Sequence, residues 1–211
     1  MSQNNLPEFE IDKGYFILGK RGSGKTELTR HLVRLFASGG YKVIVLDVIG
    51  NLTGLKKEYP KEVELIDINP KDFDRVEEIF KQLDDQGKSK KYYPLIAVLD
   101  EADRYSYGMM KKTYLSDYIN KGRNYGQGYI AVTRRTADIS KDFPTQADYA
   151  FIFQLRSDKE ILSVQDWLGL SDEEAESLKY LPLHHFLLWG GSNGEVLIPN
   201  AVLDLDERRT S

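Results

Sequence analysis

Two short segments of the chain carry residue types that do chemistry at fixed spacing. The first is GKRGSGKT, residues 19–26, which fits the pattern G-x-x-x-x-G-K-[ST] between an apolar run and a helical pattern. Gly19, Gly22 and Gly24, with Ser23 among them, allow a tight turn that aims backbone N–H groups at phosphate oxygens. The start of the following helix adds partial positive charge. Lys25 has the reach and charge for the β- and γ-phosphates of a nucleotide, and the Thr26 hydroxyl suits a Mg2+ ion. The second segment is LIAVLDEAD, residues 95–103, an apolar run that closes on Asp100 and Glu101. At a strand end beside a phosphate loop, Asp100 supports the metal shell and Glu101 orients or deprotonates an attacking water. A glutamate directly after the aspartate points to hydrolysis rather than to phosphoryl transfer onto a metabolite.

Residues 98–105, VLDEADRY, also spell the Asp-Glu-Ala-Asp box of RNA helicases. Those enzymes set the site between two RecA-like domains, and 211 residues suffice for one. Neither a Ser-Ala-Thr motif nor a second-domain arginine motif is present. Asp103 is therefore expected to be structural, or to partner a nearby basic residue.

The elements that must position these groups alternate strand and helix. Strands are expected at 14–19, 41–47, 63–68, 95–103, 128–133 and 149–155, with a closing hairpin turning between Gly190 and Gly194. Helices are expected after the phosphate loop to residue 37, then over 72–85, 108–121, 158–169 and 171–181, the last opened by Ser171 with Glu174 three residues on. Strands that are apolar on both faces and separated by helices imply a mostly parallel central sheet flanked by helices, a single RecA-like α/β domain. The expected division is an N-terminal extension over 1–13, the domain over 14–203 and a solvated tail over 204–211. A net charge of −4 excludes binding nucleic acid through overall charge, so any such contact must use local basic loops. With no cysteine there are no disulfides and no thiolate sites. No apolar run approaches the roughly 20 residues of a membrane span. The first residues lack the pattern of a signal peptide. A soluble, intracellular protein is expected.

A third motif lies in RNYGQGYIAVTRRTADISKDFPTQADYAFIFQL, residues 123–155. A basic residue precedes a strand, the strand runs into Thr133, Arg134 and Arg135, and Gln146, Ala147 and Asp148 lead into the next strand. With the two nucleotide motifs, this resembles the HerA/FtsK superfamily of DNA-pumping ATPases. It is especially similar to the small genome-packaging ATPases of membrane-containing and archaeal viruses, over most of 14–191. The matching positions are Arg123, Gly126, the strand at 128–132, Thr133, Arg135, Ala137, Asp138, Gln146, Ala147 and Asp148, and LPLHHFLLWGG at 181–191 resembles the closing strands.

The resemblance implies a Mg2+-dependent ATPase with ATP as its nucleotide, working as a homo-oligomeric ring of five or six copies on double-stranded DNA. It implies a capsid or portal partner, no direct membrane insertion, and a place in the host cytoplasm or at the packaging vertex of the virion. Arg123 matches the arginine that reaches the neighbouring subunit's γ-phosphate, although an arginine capping the preceding helix end would look the same. Arg134 stands where the family usually has a γ-phosphate-sensing Gln, so it contacts phosphate in cis or acts as a finger itself, and Arg135 stays open beside it. Thr136 replaces the usual Pro, and VIGN after Asp47 departs from the family's Pro and Gly-Glu pattern. Asp47 is left between support of the metal and capping a turn. Cellular HerA-type or conjugation-type translocases are the nearest alternative. A small-molecule P-loop kinase and a nucleotide-gated assembly protein are more distant ones.

Other conspicuous residues have plainer readings. The lysine- and tyrosine-rich stretch 87–94 is expected to be a solvated loop, with Lys111 and Lys112 alike, although such a mixture could track a DNA backbone. His31 is expected on a helix surface, His184 and His185 on opposite faces of a strand, and Trp167 and Trp189 in the core.

Overall fold

Phe16 and Leu18 pack into one apolar cluster while Tyr15 and Ile17 pack into another. The strand they share is thus buried on both faces. The same alternation divides Leu95, Ala97 and Leu99 from Ile96 and Val98. Two cores on either side of one sheet follow directly from strands whose every residue is apolar.

The computed structural model describes residues 6–69, 72–105, 113–191 and 193–202. In chain order the elements are β1 (Gly14–Leu18), α1 (Lys25–Ser38), β2 (Lys42–Leu46), α2 (Gly54–Glu58), β3 (Val63–Ile66), α3 (Phe73–Lys90), β4 (Leu95–Leu99), α4 (Tyr114–Lys121), β5 (Gln127–Thr133), α5 (Asp142–Thr145), β6 (Tyr149–Phe153), α6 (Asp158–Leu168), α7 (Asp172–Ser177), β7 (His185–Gly190) and β8 (Glu195–Val202). Short 3-10 turns follow β4 at Ala102–Tyr105 and α4 at Gly122–Tyr125.

The eight strands form one sheet in the order β3-β2-β4-β5-β1-β6-β7-β8. The six from β3 to β6 are parallel. The hairpin of β7 and β8 completes the sheet antiparallel. α1 covers one face with Leu28, Leu32, Val33 and Phe36. α3, α4, α6 and α7 cover the other through Val76, Phe80, Tyr118, Val164 and Ala175. The order places β5 between β1 and β4, so the carboxyl ends of all three meet at one edge. That edge is where ligands bind open parallel sheets.

Local sequence sets the ends. Asp72 caps α3 by accepting from Arg75 N at 3.2 Å. Ser171 and Glu174 form the expected capping box of α7. The expected loop at 87–94 is instead partly helix, since α3 runs on to Lys90. Gly87 sits inside it because a Cβ there would lie 2.9 Å from Tyr125 Cβ. Lys88 pairs with Asp84 one turn back and the Lys90 ammonium lies 3.7 Å from the centre of the Tyr93 ring, so both lysines are engaged locally.

α4 occupies the last part of the expected 108–121 helix. Residues 106–112, with Lys111 and Lys112, lie outside the described residues, as does the proposed tail over 204–211. Before β1, Phe9 packs edge-on against Tyr15, Tyr149 and Phe151. Trp167 and Trp189 are half-buried against the core rather than within it. Among the described residues no helix is long and apolar enough to cross a membrane.

Candidate nucleotide site

The phosphate-loop glycines have the backbone the motif demands. Gly22 has φ of 77° and Gly24 has φ of 110°, left-handed positions that side chains disfavour. Gly24 is also the N-cap of α1, so the helix opens directly onto the loop. The loop is fastened from beside. Lys20 donates to Gln154 Oε1 at 2.6 Å, and Gln154 donates in turn to the Lys179 carbonyl at 2.9 Å.

Lys25 is buried at the first position of α1, and its ammonium donates to the Lys20 carbonyl at 2.9 Å. Its pKa is lowered to about 8, first by burial and then by the Arg134 charge, with Glu101 and Asp100 pulling the other way. An anionic phosphate beside the ammonium would raise that pKa again.

Asp100 and Glu101 follow β4 at the same edge, both buried. The Asp100 carboxyl is raised to about 6, first by burial and then by the Glu101 and Asp47 charges, with Arg134 and Lys25 opposing. Asp100 Oδ2 is buried without a hydrogen-bond donor. A hard cation would satisfy that oxygen, and Thr26 lines the same cleft, so the oxygen donors fit Mg2+. Glu101 has φ of 58°, a left-handed backbone that turns its side chain off the strand direction.

These groups converge on a cleft of about 560 Å³ lined by Gly22, Lys25, Thr26, Asp100, Glu101 and Arg134. Arg134 forms an ion pair with Glu101, and Arg104 Nε lies 3.9 Å from the other Glu101 oxygen. Arg21, Ile49, Asn51 and Arg104 also line it; Arg21 and Arg104 fall at unspecified positions of the quoted stretches, and no motif marked Ile49 or Asn51. Their neighbours explain them. Asp47 accepts from the backbone N–H groups of Ile49, Gly50, Asn51 and Leu52 at 2.7–3.2 Å, so it caps the turn that carries Ile49 and Asn51. Asp103 accepts from the Thr133 hydroxyl at 2.9 Å, which makes its partner a threonine rather than a basic residue.

The three candidate arginines are separated. Arg134 lies in the cleft. Arg135 is exposed and within electrostatic reach of Glu160 on α6. Arg123 precedes β5 at the opposite end of the sheet, where it pairs with Asp148 at 3.1 Å. Asp148 Oδ2 also accepts from Gly14 N at 2.9 Å, so two residues of the third motif meet at the base of β1. Of the histidines, His185 contacts Asn200 at 2.7 Å. His184, in a left-handed turn before β7, sets its Nδ1 3.2 Å from the place a Cβ of Gly24 would take. His184 is thus a neighbour of the phosphate loop, which its sequence position did not disclose.

The family model of the central domain of the helicase HerA matches residues 12–179. A search of curated proteins finds no match. Among solved structures, the chain is similar to the genome packaging NTPase B204 from Sulfolobus turreted icosahedral virus 2 in complex with ATPγS. Identity there is 23% and the TM-score 0.76, over 93% of this chain and 100% of that one. The monomer form of the pCW3 conjugation coupling protein TcpA with ATPγS matches at 20% identity and a TM-score of 0.66, over 94% of this chain and 63% of that one. VirB4 of Thermoanaerobacter pseudethanolicus matches at 9% identity and a TM-score of 0.68, over 90% of this chain and 89% of that one.

Proposed function

The chain belongs to the family of the HerA helicase central domain, and on that premise we propose that it is a Mg2+-dependent ATPase that drives double-stranded DNA as a ring. The reading rests above all on one observation: a phosphate loop, an acidic pair and an arginine share one cleft at the carboxyl ends of β1, β4 and β5. The N–H groups of residues 22–26 and the Lys25 ammonium hold the β- and γ-phosphates of ATP. Thr26 and Asp100 hold Mg2+, which when bound neutralises phosphate charge. Glu101 takes a proton from the water that attacks the γ-phosphorus, and the bond to the β-γ bridging oxygen breaks to leave ADP and phosphate. Arg123, on the far end of β5, serves the neighbouring subunit's γ-phosphate.

Several copies of a small acidic chain bring several copies of any basic segment to one axis, which reconciles a net charge of −4 with a DNA substrate. Genome packaging into a viral capsid, with a capsid or portal partner and a host-cytoplasmic place of work, is the specific form proposed. It is supported by the likeness in fold to a packaging NTPase, at a TM-score of 0.76 against 0.66 for TcpA.

The test is steady-state ATP hydrolysis with and without long double-stranded DNA at low salt. Addition of DNA should raise the rate, and Glu101→Gln or chelation of Mg2+ should reduce it by about a hundredfold or more. A rate indifferent to DNA, with an active wild-type chain, removes the translocase assignment and leaves an ATPase of another kind.

A further inference from the structure

Arg134 and Glu101 are joined by an ion pair inside the cleft, the glutamate 9% exposed and the arginine 39% exposed at their side chains. A carboxylate held by a guanidinium is engaged and faces its partner rather than a water. The arginine that holds it also lowers the Lys25 pKa, after burial, so its charge reaches the lysine that meets the phosphates.

From this juxtaposition we infer that Arg134 is a triphosphate-responsive clamp on Glu101. Without a γ-phosphate the guanidinium holds the Glu101 carboxylate. The γ-phosphate of ATP competes for the same guanidinium, which prefers a planar, two-point contact with phosphate oxygens. Its transfer frees Glu101 to accept the proton of the attacking water. The inference rests on the proposed nucleotide site and adds to it a link between recognition of the triphosphate and readiness of the base.

The surroundings permit this exchange by side-chain motion alone. The end of β5 is pinned, because the Thr133 carbonyl accepts from Gly19 N at 3.3 Å and the Thr133 hydroxyl donates to Asp103 at 2.9 Å. Arg134 therefore leaves a fixed backbone point between the phosphate loop and the acidic strand end. Glu101 is equally fixed at its backbone, in the left-handed turn after β4. When Arg134 departs, Arg104, half-exposed at 3.9 Å, and Lys25 stay near the glutamate.

A double-mutant cycle on nucleotide affinity tests the clamp. ATPγS and ADP are titrated, with Mg2+, into the wild-type chain, Glu101→Gln, Arg134→Gln and the double variant, each first shown to melt cooperatively. If the two groups compete as inferred, Glu101→Gln tightens ATPγS binding by about fivefold or more and leaves ADP within about twofold. That gain disappears in the Arg134→Gln background, and Arg134→Gln alone weakens ATPγS more than ADP. Arg134→Lys, which keeps the charge and loses the fork, falls between. An equal gain from Glu101→Gln with and without Arg134, or equal losses of ATPγS and ADP in Arg134→Gln, overturns the clamp while leaving the ATPase assignment standing. Absence of binding of either nucleotide to the wild-type chain overturns the nucleotide site itself, and the clamp with it.

Discussion

At the scale of single residues, the site works against the fold that carries it. Lys25 has its pKa lowered from 10.5 to about 8, chiefly by burial, so the folded chain holds that proton less tightly than the unfolded chain. The penalty is therefore full below about pH 8, declines as pH rises, and is gone above 10.5. Lys25→Met should raise stability at neutral pH by about 1–3 kcal/mol, less what the hydrogen bond to the Lys20 carbonyl contributed, while abolishing nucleotide binding. Thermal melts between pH 7 and 11 should show the two chains converging at the alkaline end. Phosphate binding restores the charge, so nucleotide binding near pH 8 should take up roughly half a proton. Calorimetry in buffers of different ionisation enthalpy reads that uptake, and identical enthalpies in all buffers would refute it.

The phosphate loop and the pair Asp100 and Glu101 were legible in sequence because their chemistry needs contiguous residues of fixed type. Arg134 was not separable from Arg123 and Arg135 by type, since all three carry the same group. What separates them is the end of β5 at which each stands, and whether the side chain turns into the cleft. Arg104 and Asn51 reach the site through turns with no motif of their own.

At the scale of elements, the turn after β2 depends on one carboxylate. Asp47 receives four backbone N–H groups, and the turn carries Ile49 and Asn51 to the rim of the cleft. Asp47→Ala should cost about 2–4 kcal/mol and weaken nucleotide binding as the turn loosens. Asp47→Asn should rescue little, because its NH2 group would face an N–H donor. Denaturant melts and nucleotide titration of both variants check this, and an unchanged ATPγS affinity in Asp47→Ala would show that the rim turn does not act on the site.

All the expected strands form, since a run apolar on both faces has few other fates in a chain of this size. The end of α3 was hidden by Gly87 and the lysines after it, which read as a loop until Tyr125 is seen to fill the space beside the glycine. α2 and α5 are too short to show a period. Strand order was not legible at all, because the insertion of β5 between β1 and β4 depends on which crossover each helix takes.

At the scale of the molecule, a chain with Arg123 and Glu101 at opposite ends of the sheet does not complete the proposed site alone. In a ring, Arg123→Ala and Glu101→Gln chains should each be inactive and should recover hydrolysis when mixed. In a random mixture of equal parts about a quarter of the interfaces pair an intact Glu101 with an intact Arg123. No recovery, from chains shown to assemble together, would place the finger elsewhere or within one chain.

β5 gives that arrangement a mechanical character. Its seven residues are all buried and hydrogen-bonded on both long sides, to β4 and to β1. Such a strand spans about 23 Å and does not stretch. Arg134 stands just past one end and Arg123 just before the other. β5 is then a spacer of fixed length: it holds the two arginines a strand apart, and a change of partner at Arg134 stays within that side chain. In the proposed ring, the gauge between a chain's own cleft and the end it offers to its neighbour is thereby the length of one strand.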